Sequence, residues 1–508
     1  MKRRDIFFCI VLFIFGILSR LPFLERMQSH MDGPLYSIAV FRYSFEQSTP
    51  TAPGYPLYIG LAKLFFLVFT DPHNAILAVS VLFSGIGAVV FYLFGKSIFT
   101  QSTGIVAACI FLSSPSIYYF GVSGYAYIVV LVMTTSIAYC VYEIVFKKKQ
   151  LSFLLGLLYA LSLGVRPQEL MLTLPLFIFG LMYLRQKERV IAVFSFLSVF
   201  FIWFFPFIIL TGGLENFLYY SSEVSRNALP NLSLTYWLHK RFELASGVFL
   251  TLGVVLIFYL PFILDLVRKK QKAPLSHILK RKFILFSFTW FFPSLFFNTF
   301  IRTEHAGYQF NFLSYFIVLI SVYISFLIKN RQVLVIVLTI IMACNLWLFF
   351  YDRDPERLFP YRQTSLHYSD LQRNDEELQS KVGFIKQNYL PDTSLLFSST
   401  PFWSQYMYHL PEYTLYSVDG LFSADRRYAS IIRKGRYWVR QESHTGSAGF
   451  LIPSTIKKIV ILESDACRWK IHAGILRNTR DKNVCIVEIP VRPGQVYFFH
   501  YRRMILNE

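Results

Sequence analysis

The sequence predicts a polytopic α-helical membrane protein of about eleven spans. It adds outer juxtamembrane helices and a small C-terminal α/β or α+β domain outside the membrane. Three observations lead there. The 508 residues are 55% hydrophobic and only 16% charged, where a soluble protein carries about 25% charge. The long apolar stretches are confined to residues 1–350. Short clusters of Lys and Arg recur between them, as in the cytoplasmic loops of a multispanning protein. An ordinary soluble enzyme and a disordered chain are excluded on hydrophobicity, and six cysteines are too few for a disulfide scaffold.

The elements follow in order. Met1-Lys2-Arg3-Arg4 precedes an apolar run that ends in Ser19-Arg20-Leu21-Pro22, with no small-residue cleavage site; it reads as a retained first span. A span needs about 17–25 residues. The candidates are 6–24, 75–95, 103–120, 125–146, 151–165, 168–184, 190–210, 245–265, 283–300, 311–328 and 332–350. The pair 151–165 and 168–184 is short and reads as a tilted hairpin around Arg166-Pro167. The run 55–70 is also apolar. If it crossed, Lys147-Lys148-Lys149 and every later basic cluster would fall outside, against the charge bias. It is therefore expected to lie on the outer face.

With the N-terminus in the cytoplasm, 19 of the 28 basic residues of 1–350 fall on the inner side. The expected location is the cytoplasmic (inner) membrane, with the C-terminal domain outside it. The net charge of +20 is then mainly an orientation signal, and nucleic acid is not an expected partner. The expected domains are 1–350 in the membrane, with outer loop 25–74, and 351–508 outside. In the latter, Leu378–Asn388 reads as helix, and Ser394–Ser399, Lys458–Leu462 and Val484–Ile489 read as strands. Cys467 and Cys485 lie there, as a disulfide or as two thiols.

Polar residues gather at the outer span ends. Asp32, followed by Gly33-Pro34, suits a helix cap, a general base or a metal ligand. Tyr55 and Tyr58 of Pro53-Gly54-Tyr55-Pro56-Leu57-Tyr58 suit the headgroup level or the lining of a polar pocket. Arg166, with Gln168 and Glu169 beside it, can snorkel to the surface or bind a phosphate through its donor fork; Glu169 can pair with it. The short loop at 301–310 carries Arg302, Glu304 and His305. That is more charge than solubility needs, and suits a phosphate contact from Arg302 and sugar or metal contacts from Glu304 and His305. An interfacial salt bridge is the plainer reading. His239 heads a small basic rim with Lys240 and Arg241.

No phosphate-binding Gly-rich loop, dinucleotide fingerprint, His-Glu-x-x-His or cysteine ligand set occurs. A transporter of lipid-linked glycan would place ionisable groups at midspan. A non-catalytic envelope assembly protein would rest on the outer domain. An enzyme working at the outer membrane boundary fits the polar distribution better than either.

Four segments carry a resemblance: Ser19-Arg20-Leu21-Pro22, Asp32 through Tyr36, Pro53 through Tyr58, and Gly164 through Pro167. Their order over 1–350 resembles the GT-C superfamily of integral-membrane glycosyltransferases. The similarity is greatest to the bacterial branch related to protein O-mannosyltransferases and the lipid A aminoarabinose transferase. The resemblance implies a polyprenyl-phosphate-linked sugar as donor and inverting transfer on the outer face to a glycan, lipid or protein acceptor. It implies Asp32 as base. By charge and side alone, Arg166 and Arg302 are the candidates to hold the phosphate, and Tyr55 and Tyr58 can pack against the sugar or lipid. Many relatives have Asp-Glu where this chain has Asp32-Gly33, and an Asp where this chain has Tyr118, Tyr119, Tyr125 and Tyr127. No cofactor is implied with certainty, and a divalent metal is left open.

Overall fold

The computed structural model describes residues 3–30, 32–45, 49–227, 234–267, 280–301, 306–351, 366–398, 403–419, 428–434, 437–443, 448–452, 454–462, 487–491, 496–500 and 503–506. Contacts divide the chain into two compact units. The first comprises Met1–Glu25, Pro53–Asn216 and Leu229–Leu371; the second comprises Arg26–Ala52, Phe217–Ala228 and Gln372–Glu508.

The first unit is helical. Its elements are α1 (Arg3–Leu18), α3 (Pro56–Phe69), α4 (Pro72–Ile98), α5 (Gln101–Ser113), α6 (Pro115–Val122), α7 (Tyr127–Lys147), α8 (Ser152–Val165), α9 (Glu169–Met182), α10 (Gln186–Leu210), α12 (Leu234–Leu252), α13 (Tyr259–Val267), α14 (Arg281–Phe296), α15 (Phe310–Leu327) and α16 (Arg331–Phe350). Helix α2 (Asp32–Phe41) belongs to the second unit, and α11 (Leu214–Asn227) continues into it.

Among the described residues eight stretches are long and apolar enough to cross a membrane, or nine if α5 and α6, bent by 61° at their break, are taken as one span. Helices α8 and α9 are shorter apolar helices of the same kind, as is α3. These elements coincide one for one with the eleven expected spans, with α3 beside them. The protein is a multi-pass membrane protein. Helices α7 and α15 run through its centre, whereas α1, α10 and α14 expose Phe, Ile and Leu on their outer faces, as lipid contact requires.

Breaks inside spans leave backbone groups that lipid cannot satisfy, and polar side chains satisfy them here. Pro115 interrupts α5–α6, and the Leu112 carbonyl accepts from Arg20 Nη2 at 2.9 Å. Arg20 is fully buried, its guanidinium 3.7 Å from the Tyr118 ring centroid. At the break after α12, Asn345 Oδ1 accepts from the Val254 N–H at 3.0 Å. Ser114 Oγ donates to the Thr251 carbonyl, joining the two breaks. On the side expected to be inner, Lys282 Nζ donates to the Val145 carbonyl at 2.7 Å, and Lys149 pairs with buried Glu143. Some inner lysines therefore also tie helix ends.

The orientation is checked by labelling single cysteines at Pro72 and Lys148 in a cysteine-free background. Position 72 is expected to react with an impermeant thiol reagent from outside and position 148 only after permeabilisation. The reversed pattern, with position 148 reacting from outside and position 72 only after permeabilisation, would refute a non-crossing α3.

Among the described residues the second unit holds α2, α17 (Tyr368–Asn388) from Gln372 onward, α18 (Trp403–His409) and nine strands. A six-stranded sheet has the order β4-β3-β2-β1-β6-β7, comprising β1 (Ser394–Ser398), β2 (Thr414–Asp419), β3 (Tyr428–Lys434), β4 (Tyr437–Ser443), β6 (Lys458–Ile461) and β7 (Val487–Pro490). Strands β2, β1 and β6 are parallel and the others antiparallel. Central β1 is buried throughout, as a parallel strand covered on both faces must be. A three-stranded sheet, β5-β8-β9, comprises β5 (Ala448–Leu451), β8 (Val496–His500) and β9 (Arg503–Leu506). The mixed helix and strand content expected of this region is present. Cys467 and Cys485 lie outside the described residues.

Candidate functional site

The turn between α8 and α9 is built around Arg166-Pro167. Pro167 cannot donate to the helix, so α8 stops with Arg166 extended at φ −152°. Gly164 just before it has a packing reason. A Cβ there would overlap the Leu57 side chain and approach Trp203. Two of the sequence segments singled out, Pro53–Tyr58 and Gly164–Pro167, thus meet face to face.

Arg166 does not snorkel. It is 3% exposed, with Nε donating to Gln168 Oε1 at 2.9 Å. Its guanidinium carbon lies 4.1 Å from the Tyr308 ring centroid and 5.4 Å from that of Tyr127. Such desolvated cation–π contacts are worth about 2 kcal/mol. Tyr308, Tyr55, Tyr127 and Glu169 are its electrostatic neighbours. Nη2 is buried with no hydrogen-bond partner among the described residues.

Glu169 opens α9 and is fully buried. It does not pair with Arg166. Its Oε2 accepts from Asn311 Nδ2 at 2.7 Å, and Asn311 Oδ1 accepts from Thr134 Oγ1 at 2.8 Å. Its Oε1 has no hydrogen-bond partner among the described residues. Tyr308 is fixed from behind, its carbonyl accepting from Asn298 Nδ2 at 3.2 Å. Asn298 lies in a widened turn, Phe297–Ile301, that ends α14. Gly307 packs on the Tyr127 ring, where a Cβ would collide.

A second polar group in the same unit surrounds Glu25, which is 3% exposed. Its Oε1 accepts from the Gly124 N–H at 3.1 Å, and His73 Nε2 lies 3.1 Å from its carbonyl oxygen. Tyr58 is buried with Glu25 and Ser80 as neighbours, so it does not face headgroups. Tyr55 is half-buried.

In the second unit, Asp32 is the first residue of α2 and is half-buried. A carboxylate in the first turn is stabilised in its charged form by the helix dipole. The helix is held firmly. Leu35 belongs to the hydrophobic core formed by Leu378, Val382, Leu396, Trp403, Leu415 and their neighbours. Gln405 Nε2 donates to the Ser29 carbonyl, and the Arg26 N–H donates to Asp375 Oδ2 at 2.6 Å. The C-terminal fold therefore positions the helix that carries Asp32.

Arg302, Glu304 and His305 lie outside the described residues, and His239 lies on α12 with its side chain outside them. Among the described residues no group of three His, Cys, Asp or Glu is placed to hold a metal ion. The four tyrosines at 118–127 are buried aromatic packing: Tyr125 stacks on Tyr127 with centroids 5.4 Å apart.

Sequence reasoning did not single out Glu25, His73, Asn311, Thr134 or Tyr308. The signal for Asn311 was a lone amide in the apolar stretch Phe310–Leu327, which in a membrane marks a partner to be found.

Residues 51–210 match the family model described as dolichyl-phosphate-mannose-protein mannosyltransferase. The fold is similar to that of ArnT from Cupriavidus metallidurans bound to undecaprenyl phosphate. That likeness has a TM-score of 0.56 at 11% identity and covers 96% of this chain and 98% of the other. The chain has the GT-C fold. ArnT of the same organism in the apo state gives a TM-score of 0.51 at 12% identity, covering 83% and 86% of the two chains. A comparison with the curated proteins returns no match. On this GT-C fold, the matched segment 51–210 contains Tyr55, Tyr58, Arg166 and Glu169.

Proposed function

We propose that the chain is a glycosyltransferase that moves a sugar from a polyprenyl-phosphate donor to an acceptor hydroxyl at the outer face of the cytoplasmic membrane. The observation that carries this reading is the mannosyltransferase family match over 51–210, which includes the buried Arg166 with its unpartnered donor. In the reaction, the acceptor oxygen attacks the anomeric carbon and Asp32 takes its proton. The bond from that carbon to the phosphate oxygen breaks, and its electron pair leaves with the lipid phosphate. No enzyme nucleophile takes part, so configuration inverts. Arg166 stabilises the leaving phosphate through its guanidinium, with Arg302 as a second cation. Tyr55 and Tyr58, with Glu304, His305 and His239, contribute to donor or acceptor contacts. The acceptor is a glycan, lipid or protein hydroxyl.

The test is deletion of the gene, followed by mass spectrometry of envelope glycans and membrane lipids. One sugar modification is expected to disappear while a polyprenyl-phosphate-linked sugar accumulates. Unchanged glycans together with unchanged lipids would overturn the reading.

A further inference from the structure

Arg166 and Glu169 are opposite charges, both buried in one helical hairpin and electrostatic neighbours, yet no side-chain hydrogen bond or close ion pair joins them. Each has its own support. Gln168 and the Tyr308 ring fix the guanidinium; Asn311, itself bonded to Thr134, fixes the carboxylate. One donor, Nη2, and one acceptor, Oε1, are left buried without hydrogen-bond partners among the described residues. Burying unpartnered charged groups is costly, and such groups are otherwise satisfied by water or a ligand.

We propose that Arg166 Nη2 and Glu169 Oε1 form a subsite for a glycosyl phosphodiester, Arg166 donating to a phosphate oxygen and Glu169 accepting from a sugar hydroxyl. This rests on the donor class proposed above and adds which side chains read its head. A bare phosphate has acceptors for Arg166 but offers Glu169 only negative charge. The pair therefore prefers the glycosylated lipid and disfavours the spent lipid phosphate, which promotes product release. Asn311 and Thr134 are positioning residues that keep the carboxylate from collapsing onto Arg166.

The test uses the full-length protein in nanodiscs with undecaprenyl phosphate, undecaprenyl-phosphomannose and undecaprenyl-phosphoglucose as probes. The wild type is expected to bind at least one glycosylated lipid about tenfold or more tightly than the bare phosphate, as one charge-assisted hydrogen bond allows. Glu169→Gln exchanges the free acceptor for an amide at nearly constant shape. It is expected to abolish that preference while leaving or improving affinity for undecaprenyl phosphate. Arg166→Gln should weaken all of the probes that bind. If Glu169→Gln does not fold, Glu169→Asp, which keeps the charge but withdraws the oxygen, should lose the same preference.

No preference in the wild type, no change in Glu169→Gln, or an equal loss for bare and glycosylated lipids would overturn the subsite. Failure of the wild type to bind any of the three lipids would instead overturn the donor class.

Discussion

Asp32→Asn is expected to leave the protein inserted and folded and to reduce sugar transfer by about 10²–10⁴-fold, the usual contribution of a positioned general base. The substitution keeps the side-chain shape and removes only the ability to take a proton. Folding should be insensitive because α2 is anchored elsewhere: Gly33, Pro34 and Leu35 are buried, and Leu35 sits in the C-terminal hydrophobic core. The measurement is transfer by purified variant in nanodiscs, with its melting temperature as control. Near-normal transfer would remove Asp32 from the mechanism.

The second large effect is on stability. Arg20→Leu is expected to destabilise the first unit by about 3 kcal/mol, because it leaves a buried carbonyl unsatisfied and removes a desolvated cation–π contact. The carbonyl is that of Leu112, which lost its helical donor where Pro115 breaks α5 from α6. Arg20 also donates to Ser19 Oγ at 3.1 Å, and Tyr118 Oη donates to the Ser19 carbonyl. Arg20→Lys, which keeps the charge but not the planar fork, should lose part of this. Thermal unfolding in detergent checks both. An unchanged midpoint for Arg20→Leu would show that the break is satisfied without the arginine. Ser19 and Arg20 of the segment Ser19-Arg20-Leu21-Pro22 thus bond to the break between α5 and α6.

Much of the architecture was readable before any coordinates. A bilayer demands long apolar runs and orients them by charge, so the spans and the short hairpin at Arg166-Pro167 stand out in one dimension. The helix and strands expected at 378–388, 394–399 and 458–462 likewise follow from local pattern, and each is present as α17, β1 and β6. The site was readable only in part. Arg166 announces itself as a charge beside a proline in an apolar context. Glu169 was noticed only as a partner for Arg166, whereas the structure ties it to Asn311. That bond joins residues 142 positions apart, and no local periodicity encodes it.

The sequence by itself determined a multispanning helical protein with an α/β-containing C-terminal region, because hydrophobic length and alternation are local properties. Tertiary structure alone decided three things. Arg166 is buried under Tyr308 and does not reach the surface. Asn311 supplies the hydrogen bond to Glu169 Oε2. The helix of Asp32 is clamped by residues more than 340 positions later, through Leu35, Ser29 and Arg26. Each depends on which faces of distant elements pack together, and a buried polar group acquires its partner, and with it its chemistry, only when that packing closes.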